Sequence, residues 1–228
     1  MITAIVVAAG AGKRMKSNTS KPFLSLAGKP LLVWTLANIA SSKVDGIMVV
    51  AGAKEINRVT SLISDYSIEK VKAVVRGGEQ RQDSVANALQ SLPENTEIVA
   101  IHDGGRPLIK PDLINKFLDE LDDFDGVIPA VVPTDTIKQA TGGFVEKTLN
   151  RQDLRAAQTP QIFKRKPLFE SYLKATEEGF YGTDDASLLE KYGYKVKITE
   201  GSYDNIKVTT PADLALAEVL LSENRNWF

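Results

Sequence analysis

Polar clusters that follow short apolar runs carry the residue types phosphate chemistry needs. Ala8-Ala-Gly-Ala-Gly-Lys-Arg-Met15 comes directly after Ile2–Val7, with Lys21 a few residues beyond. Glycines let backbone N–H groups approach a phosphate chain, and cations compensate its charge. A Walker-type loop is excluded, because Gly12-Lys13 is followed by Arg14 and Val7 stands where its first glycine belongs. A dinucleotide fingerprint fails at Met15, which replaces its third glycine. What remains is a Gly-x-Gly-x-Arg loop. Gly77-Gly-Glu-Gln-Arg-Gln-Asp-Ser-Val85 and His102-Asp-Gly-Gly-Arg-Pro107 follow two later apolar runs. Asp103, acceptor-only when ionised, suits Mg²⁺ or contacts to ribose and a second substrate. His102 reads as a packing or hydrogen-bonding residue, and Arg106, ahead of a proline, as a loop anchor.

Composition narrows the chemistry. With no cysteine and a single histidine, thiolate catalysis, disulfides and histidine-rich metal sites are excluded. A formal charge of −1 gives no global attraction to nucleic acid or an anionic membrane, so a site for a charged substrate must be built locally. The apolar start lacks a basic flank, and no run approaches the roughly 20 apolar residues of a membrane span. A cytoplasmic protein is the expectation.

The elements that must position these clusters alternate. Strands are expected at Ile2–Val7, 47–50, 71–75, 98–101, 127–132 and 195–198. Helices are expected at 30–40, 55–64, 81–92, 111–121, 167–178 and 184–192. A last helix opens at Thr210-Pro-Ala-Asp213, with an N-cap, a first-turn proline and an acid. This alternation predicts an α/β fold with a doubly wound, mostly parallel sheet, whose ligands sit beyond the carboxyl ends of the strands. The rhythm breaks at 134–150, where Gly142-Gly143 reads as a hairpin turn between Ile137 and Val145. An isolated hairpin is marginal in water, so a second subunit is a natural support.

The motifs together resemble a known family. Ala-Ala-Gly-x-Gly-x-Arg-Met followed by a lysine is similar to the signature loop of the sugar nucleotidyltransferases. The Gly77–Val85 and His102–Pro107 motifs, with Thr148-Leu-Asn-Arg151, Gln158-Thr-Pro-Gln161, Thr183-Asp-Asp-Ala-Ser187 and Asn205-Ile-Lys-Val-Thr209, narrow the resemblance. They resemble the 2-C-methyl-D-erythritol 4-phosphate cytidylyltransferases along about the whole chain. The resemblance implies one Rossmann-like nucleotidyltransferase domain over 1–228 with a protruding dimerisation β-arm at about 134–150. It implies transfer of CMP from CTP to a polyol phosphate, with Mg²⁺ or another divalent cation held mainly by the CTP phosphates.

By the same resemblance, Arg14 and Lys21 stabilise the transition state. Ala8, Ala9, Gly10, Gly12, Gly78, Glu79, Ser84, Asp103 and Gly104 form the CTP pocket. Asp103, Arg106, Thr136, Arg151 and Lys207 hold the acceptor, with Thr136 and Arg151 reaching the active site of a homodimer partner. The alternatives are a ribitol-5-phosphate cytidylyltransferase, which tends to carry Ala-Gly-Gly in place of Ala8-Ala9-Gly10, and a nucleotide-binding regulator without catalysis. Two departures stand out. Ser20-Lys21-Pro22 replaces the commoner Pro-Lys-Gln and is expected to restrict Lys21 towards extended backbone. Gly104-Gly105 replaces small residues and is expected to add backbone freedom. The stretch 10–22, rich in Lys, Ser and Gly, is expected to be mobile without CTP.

Overall fold

β1 (Ile2–Val7) is apolar on both faces because both faces are covered. Ala4 and Val6 enter one hydrophobic layer and Ile5 the other. A computed structural model of the chain describes residues 1–10, 15 and 19–223. After β1 come a small hairpin of β2 (Ser25–Leu26) and β3 (Lys29–Pro30), then α1 (Leu31–Ala40), β4 (Gly46–Ala51), α2 (Ile56–Asp65) and β5 (Val71–Arg76). The middle of the chain forms α3 (Arg81–Gln90), β6 (Ile98–Asp103), α4 (Pro111–Asp119), β7 (Gly126–Val131), β8 (Lys138–Thr141) and β9 (Phe144–Thr148). It ends with β10 (Ala156–Ala157), β11 (Gln161–Lys164), α5 (Arg165–Glu178), α6 (Asp185–Lys191), β12 (Val196–Glu200) and α7 (Pro211–Glu223).

The main sheet is doubly wound. β5, β4, β1 and β6 pair in parallel in that order, and β12 pairs in parallel with β7. Between β6 and β7 lies β11, antiparallel to both, and β10 also pairs antiparallel with β7. Sequence reading passed over β11, as it did the two-residue β2, β3 and β10: β11 is four residues long and begins at Gln161, the last residue of a stretch read as a binding motif. Its Ile162 and Phe163 are fully buried. Gly126 makes the space, since a Cβ there would lie 2.6 Å from Phe163 Cδ1.

Helices cover the two faces. Leu32 and Leu36 of α1, Val59 of α2 and Phe117 of α4 pack on one; Val85 and Leu89 of α3, Tyr172 of α5 and Leu188 of α6 pack on the other. Each such burial contributes about 1.5–3 kcal/mol. α7 closes a smaller cluster, where Ala217 and Leu221 meet Leu31 and Trp34. It begins as its sequence indicates: Asp213 Oδ2 accepts from the backbone N–H groups of Thr209 and Thr210, both at 2.8 Å. Most other boundaries lie within two residues of expectation; α3 ends at Gln90 and α4 at Asp119, each two residues early.

The predicted hairpin is present as β8 and β9, a separate two-stranded sheet. Gly142 and Gly143 have φ of 60° and 87°, the left-handed pair that a tight hairpin needs. Every residue of both strands is exposed, with Phe144 at 79% and Val145 at 63%. Among the described residues no helix is long and apolar enough to cross a membrane.

Candidate active site

The expected clusters meet at the carboxyl ends of β1, β5 and β6. Ala8 N–H donates to Val50 O at 2.8 Å, Gly77 N–H to Ala51 O at 2.9 Å and Gly104 N–H to Val7 O at 2.9 Å. These bonds knit the loops around a cavity of about 290 Å³. Ala8, Ala9, Gly10, Gly78, Glu79, Ser84, Asp103, Gly104, Lys21 and Lys207 all line it, with Gly105, Gln80 and Arg81. Gly12 and Arg14, and most of the stretch expected to be mobile, lie outside the described residues.

Much of the lining is backbone because side chains do not fit. A Cβ on Gly77 would stand 2.5 Å from Ala9 Cβ, and one on Gly104 3.1 Å from Val7 O. A Cβ on Gly105 would overlap the Lys21 ammonium group. Neither Gly104 nor Gly105 has a positive φ, and their missing side chains supply room for Lys21 and the neighbouring strand end. The expectation of extended backbone at Lys21 is corrected. It begins a 3-10 turn, Lys21–Phe23, rather than continuing as extended chain, and Leu24 N–H closes the turn onto Lys21 O at 3.2 Å. Pro22 sits in the first turn, where a missing N–H leaves no bond unmade.

Asp103 is the electrostatic centre. Lys207 Nζ lies 2.7 Å from its Oδ2, Arg81 Nε 3.3 Å from its Oδ1 and Arg106 Nε 3.9 Å from Oδ2. Burial opposes the charge on this carboxyl, but Arg81, Lys207 and Arg106 hold it well below the usual carboxylate range. Burial likewise works against the Arg81 cation, and Asp185 with Asp103 more than offsets it, so its proton is held more tightly than usual. Asp103 is thus an anion at every working pH, and Lys21, Arg81 and Lys207 outnumber the two acids of the lining, Asp103 and Glu79. A cavity with this surplus suits a polyanion.

His102 is the buried hydrogen-bonding residue expected. Its Nε2 donates to Arg106 O at 3.1 Å, so its Nδ1 accepts from the Thr159 hydroxyl, also at 3.1 Å. Thr159 Oγ1 in turn accepts from Asp103 N–H at 3.0 Å, which fixes the backbone of the central carboxylate. Burial pushes the His102 imidazole down to about 4.

Four of the expected site residues are described by the bonds they make, or by their exposure, within the chain. The Ser84 hydroxyl donates to Gln80 O at 3.0 Å and accepts from Gly78 N–H at 3.1 Å, so it shapes the turn instead of presenting a free donor to a base. Arg106 lies outside the cavity lining; its Nη1 donates to Asn205 O at 2.6 Å, tying the Lys207 segment to the β6 turn. Val208 N–H completes that tie on Gly105 O at 2.8 Å. Thr136 and Arg151 are exposed and do not reach the cavity within one chain. Arg151 Nη1 donates to Thr134 O at 2.6 Å, at the root of the hairpin.

Arg81, Asp185 and Tyr172 were not singled out as site residues, although Arg81 and Asp185 stand inside quoted motifs. Asp185 is wholly buried, its Oδ2 2.7 Å from Arg81 Nη2 and its Oδ1 accepting from the Tyr172 hydroxyl at 2.6 Å. Both acid and cation open a helix, Arg81 at the start of α3 and Asp185 at the start of α6, positions where charged residues are ordinary, so neither stands out in the sequence.

Comparison with known proteins finds matches along nearly the whole chain. The IspD family model, 2-C-methyl-D-erythritol 4-phosphate cytidylyltransferase, matches residues 2–223. A protein of that name from Geobacillus kaustophilus is 46% identical over 221 residues, covering 96% of each chain. One from Clostridium acetobutylicum is 41% identical over 98% of this chain and 99% of its own. The crystal structure of 4-diphosphocytidyl-2C-methyl-D-erythritol synthase from Anaerococcus prevotii superposes with a TM-score of 0.86 at 32% identity, over 97% of this chain and 96% of that one.

Proposed function

The chain belongs to the 2-C-methyl-D-erythritol 4-phosphate cytidylyltransferase family, enzymes that transfer CMP from CTP to that polyol phosphate, and we propose how its residues divide the reaction. The observation that carries the assignment is the convergence of Lys21, Arg81 and Lys207 around Asp103, beside a floor of glycine backbone. Cytosine and ribose lie over Ala8, Ala9, Gly10, Gly78 and Glu79, where the absence of bulk admits a ring. Ser84 holds that floor in shape. A phosphate oxygen of the acceptor attacks the α-phosphorus of CTP, and the bond to pyrophosphate breaks. Positioning and cations dominate such transfers, because charge has to be stabilised in line between two anions.

Lys21 meets the developing charge on the phosphates; Arg14 joins it on sequence grounds alone. Lys207 leaves or shares Asp103 to bind the acceptor phosphate, and Arg106 keeps the Lys207 segment against the β6 turn. Arg151, with Thr136, supplies the second acceptor cation from a partner subunit through the 138–148 hairpin. The exposed Phe144 and Val145 support that arm-mediated homodimer, since large apolar side chains on an unsupported hairpin call for a cover. Within each subunit the chain acts as one nucleotidyltransferase domain. The cytoplasm, where CTP is made, is the compartment this reading expects.

The donors fit a divalent cation held chiefly by the nucleotide. Among the described residues no cluster of three acidic or histidine side chains could bind a metal alone, and Asp103 is the carboxylate placed to add one oxygen. Mg²⁺ bound there supplies charge neutralisation along the triphosphate. Pyrophosphate release with CTP and Mg²⁺ tests the assignment, comparing 2-C-methyl-D-erythritol 4-phosphate with D-ribitol 5-phosphate. Release with the first alone is expected. Release with the second alone would move the chain to another polyol phosphate.

A further inference from the structure

Arg81, the first residue of α3, joins two carboxylates from distant parts of the chain. Its Nε faces Asp103 Oδ1 at 3.3 Å, and its Nη2 faces Asp185 Oδ2 at 2.7 Å. Asp185 is wholly buried, and its other oxygen accepts a hydrogen bond from the Tyr172 hydroxyl. The next residues of α3 are docked to the same stretch. Gln82 Nε2 donates to Phe180 O at 2.9 Å, its Oε1 accepts from Gly182 N–H at 2.9 Å, and Asp83 Oδ1 accepts from the Tyr181 hydroxyl at 3.1 Å. The first turn of α3, which also bears the Gly77-Gly78 floor, is therefore fastened residue by residue to the segment between α5 and α6.

We propose that Tyr172 and Asp185, acting through Arg81, are positioning residues that fix the Asp103 carboxylate for CMP transfer. The proposal rests on the reading of Asp103 given above. Its geometry divides the two oxygens: Oδ1 is tied to a guanidinium anchored on a fully buried acid, while Oδ2 meets Lys207, whose side chain is 38% exposed. A carboxylate held by Lys207 alone would turn with that flexible side chain as it engages the acceptor. The guanidinium fork, gripped at both ends, removes that freedom, and a lysine in its place offers a point charge that cannot span both acids. Removing the buried partner leaves Arg81 half-satisfied and free to tilt.

The test measures kcat per CTP-binding site, counted by calorimetric titration, with the CTP dissociation constant and thermal midpoint, for Asp185→Asn, Arg81→Lys and Tyr172→Phe. Asp185→Asn and Arg81→Lys should lower kcat per site about tenfold or more, with CTP affinity changed less than about threefold. Tyr172→Phe, which removes one hydroxyl and keeps the packing, should lower kcat about twofold. In an Asp103→Asn background, Asp185→Asn should add no further loss, because both act on one group. Parental kcat per site with only a lower thermal midpoint would reduce the ion pair to scaffolding and overturn the proposal, as would fully multiplicative losses in the double variant. If Asp103→Asn alone keeps parental kcat, the reading of Asp103 falls and this proposal with it. If Asp103→Asn is impaired and Asp185→Asn is not, only this proposal falls.

Discussion

At the strand ends, Asp103 is 7% exposed and meets three cations, its backbone is held through Thr159, and each flanking loop is bonded to the strand beside it. At the 138–148 hairpin, every residue is exposed and, among the described residues, the two strands pair only with each other. Both regions carry expected substrate cations, Lys21 and Lys207 in the first and Arg151 at the root of the second. On the reading proposed above, the contrast teaches that the nucleotide pocket and Lys207 are pre-organised by one chain, whereas the arm that leads to Arg151 lacks its own support. Electrostatic catalysis works best from groups already fixed before reaction. A hairpin without cover gains that fixity only from another surface.

The largest expected effect sharpens the first side of the contrast. Lys21→Ala should lower kcat about 10²- to 10³-fold, the loss typical of a deleted transition-state donor, while the thermal midpoint stays near the parent's. A steady-state assay beside a melting curve checks it. The second side breaks next. Phe144→Asp combined with Val145→Asp should yield a monomer in sedimentation, with activity down about 10²-fold because the acceptor loses a positioned cation. CTP binding should persist, since no arm residue lines the nucleotide cavity. A fully active monomer would erase the distinction between the two regions.

The buried network behind the pocket makes a pH prediction. The sole histidine is held neutral, its folded value pushed down to about 4 by burial against an unfolded 6.5. Between these values the unfolded chain binds the extra proton, so stability is full above pH 6.5 and is lost as pH falls. From pH 6.5 to 5 the loss should be about 2 kcal/mol. Below that, Asp103, whose folded value is depressed, adds a loss in the same direction as pH falls through the unfolded carboxylate value. Urea midpoints across this range should show the slope, and His102→Asn should flatten it above pH 5. The smallest effect is at the lysine seat: Gly105→Ala forces the Lys21 ammonium aside and should cost about tenfold in kcat without altering the oligomer.

How much of this was legible follows from the range of each interaction. Ile2–Val7, the Gly142-Gly143 turn and the Thr210-to-Asp213 cap are local, and their residues announce them. The pocket was legible through cation and glycine motifs at strand ends, which the sheet then brings together. β11 was not, because its place between β6 and β7 is set by a glycine in another strand and by partners far along the chain. Arg81 and Asp185 stand 104 residues apart, so nothing local tells that each neutralises the other. The backbone at Lys21 and its fit against Gly105 were not legible for the same reason: that fit is a contact between loops, not a property of either.

The measurement that bears most directly on a site shared between a fixed pocket and a borrowed arm is complementation. Lys21→Ala and Arg151→Ala chains, each nearly inactive alone, are unfolded together, refolded as a mixture, and assayed for pyrophosphate release. If Arg151 serves the partner, half the dimers are mixed and one of their two sites is intact, so activity should recover to about one quarter of the parent's. If Arg151 serves its own chain, every site in the mixture carries one defect, and the absence of recovery would contradict the account.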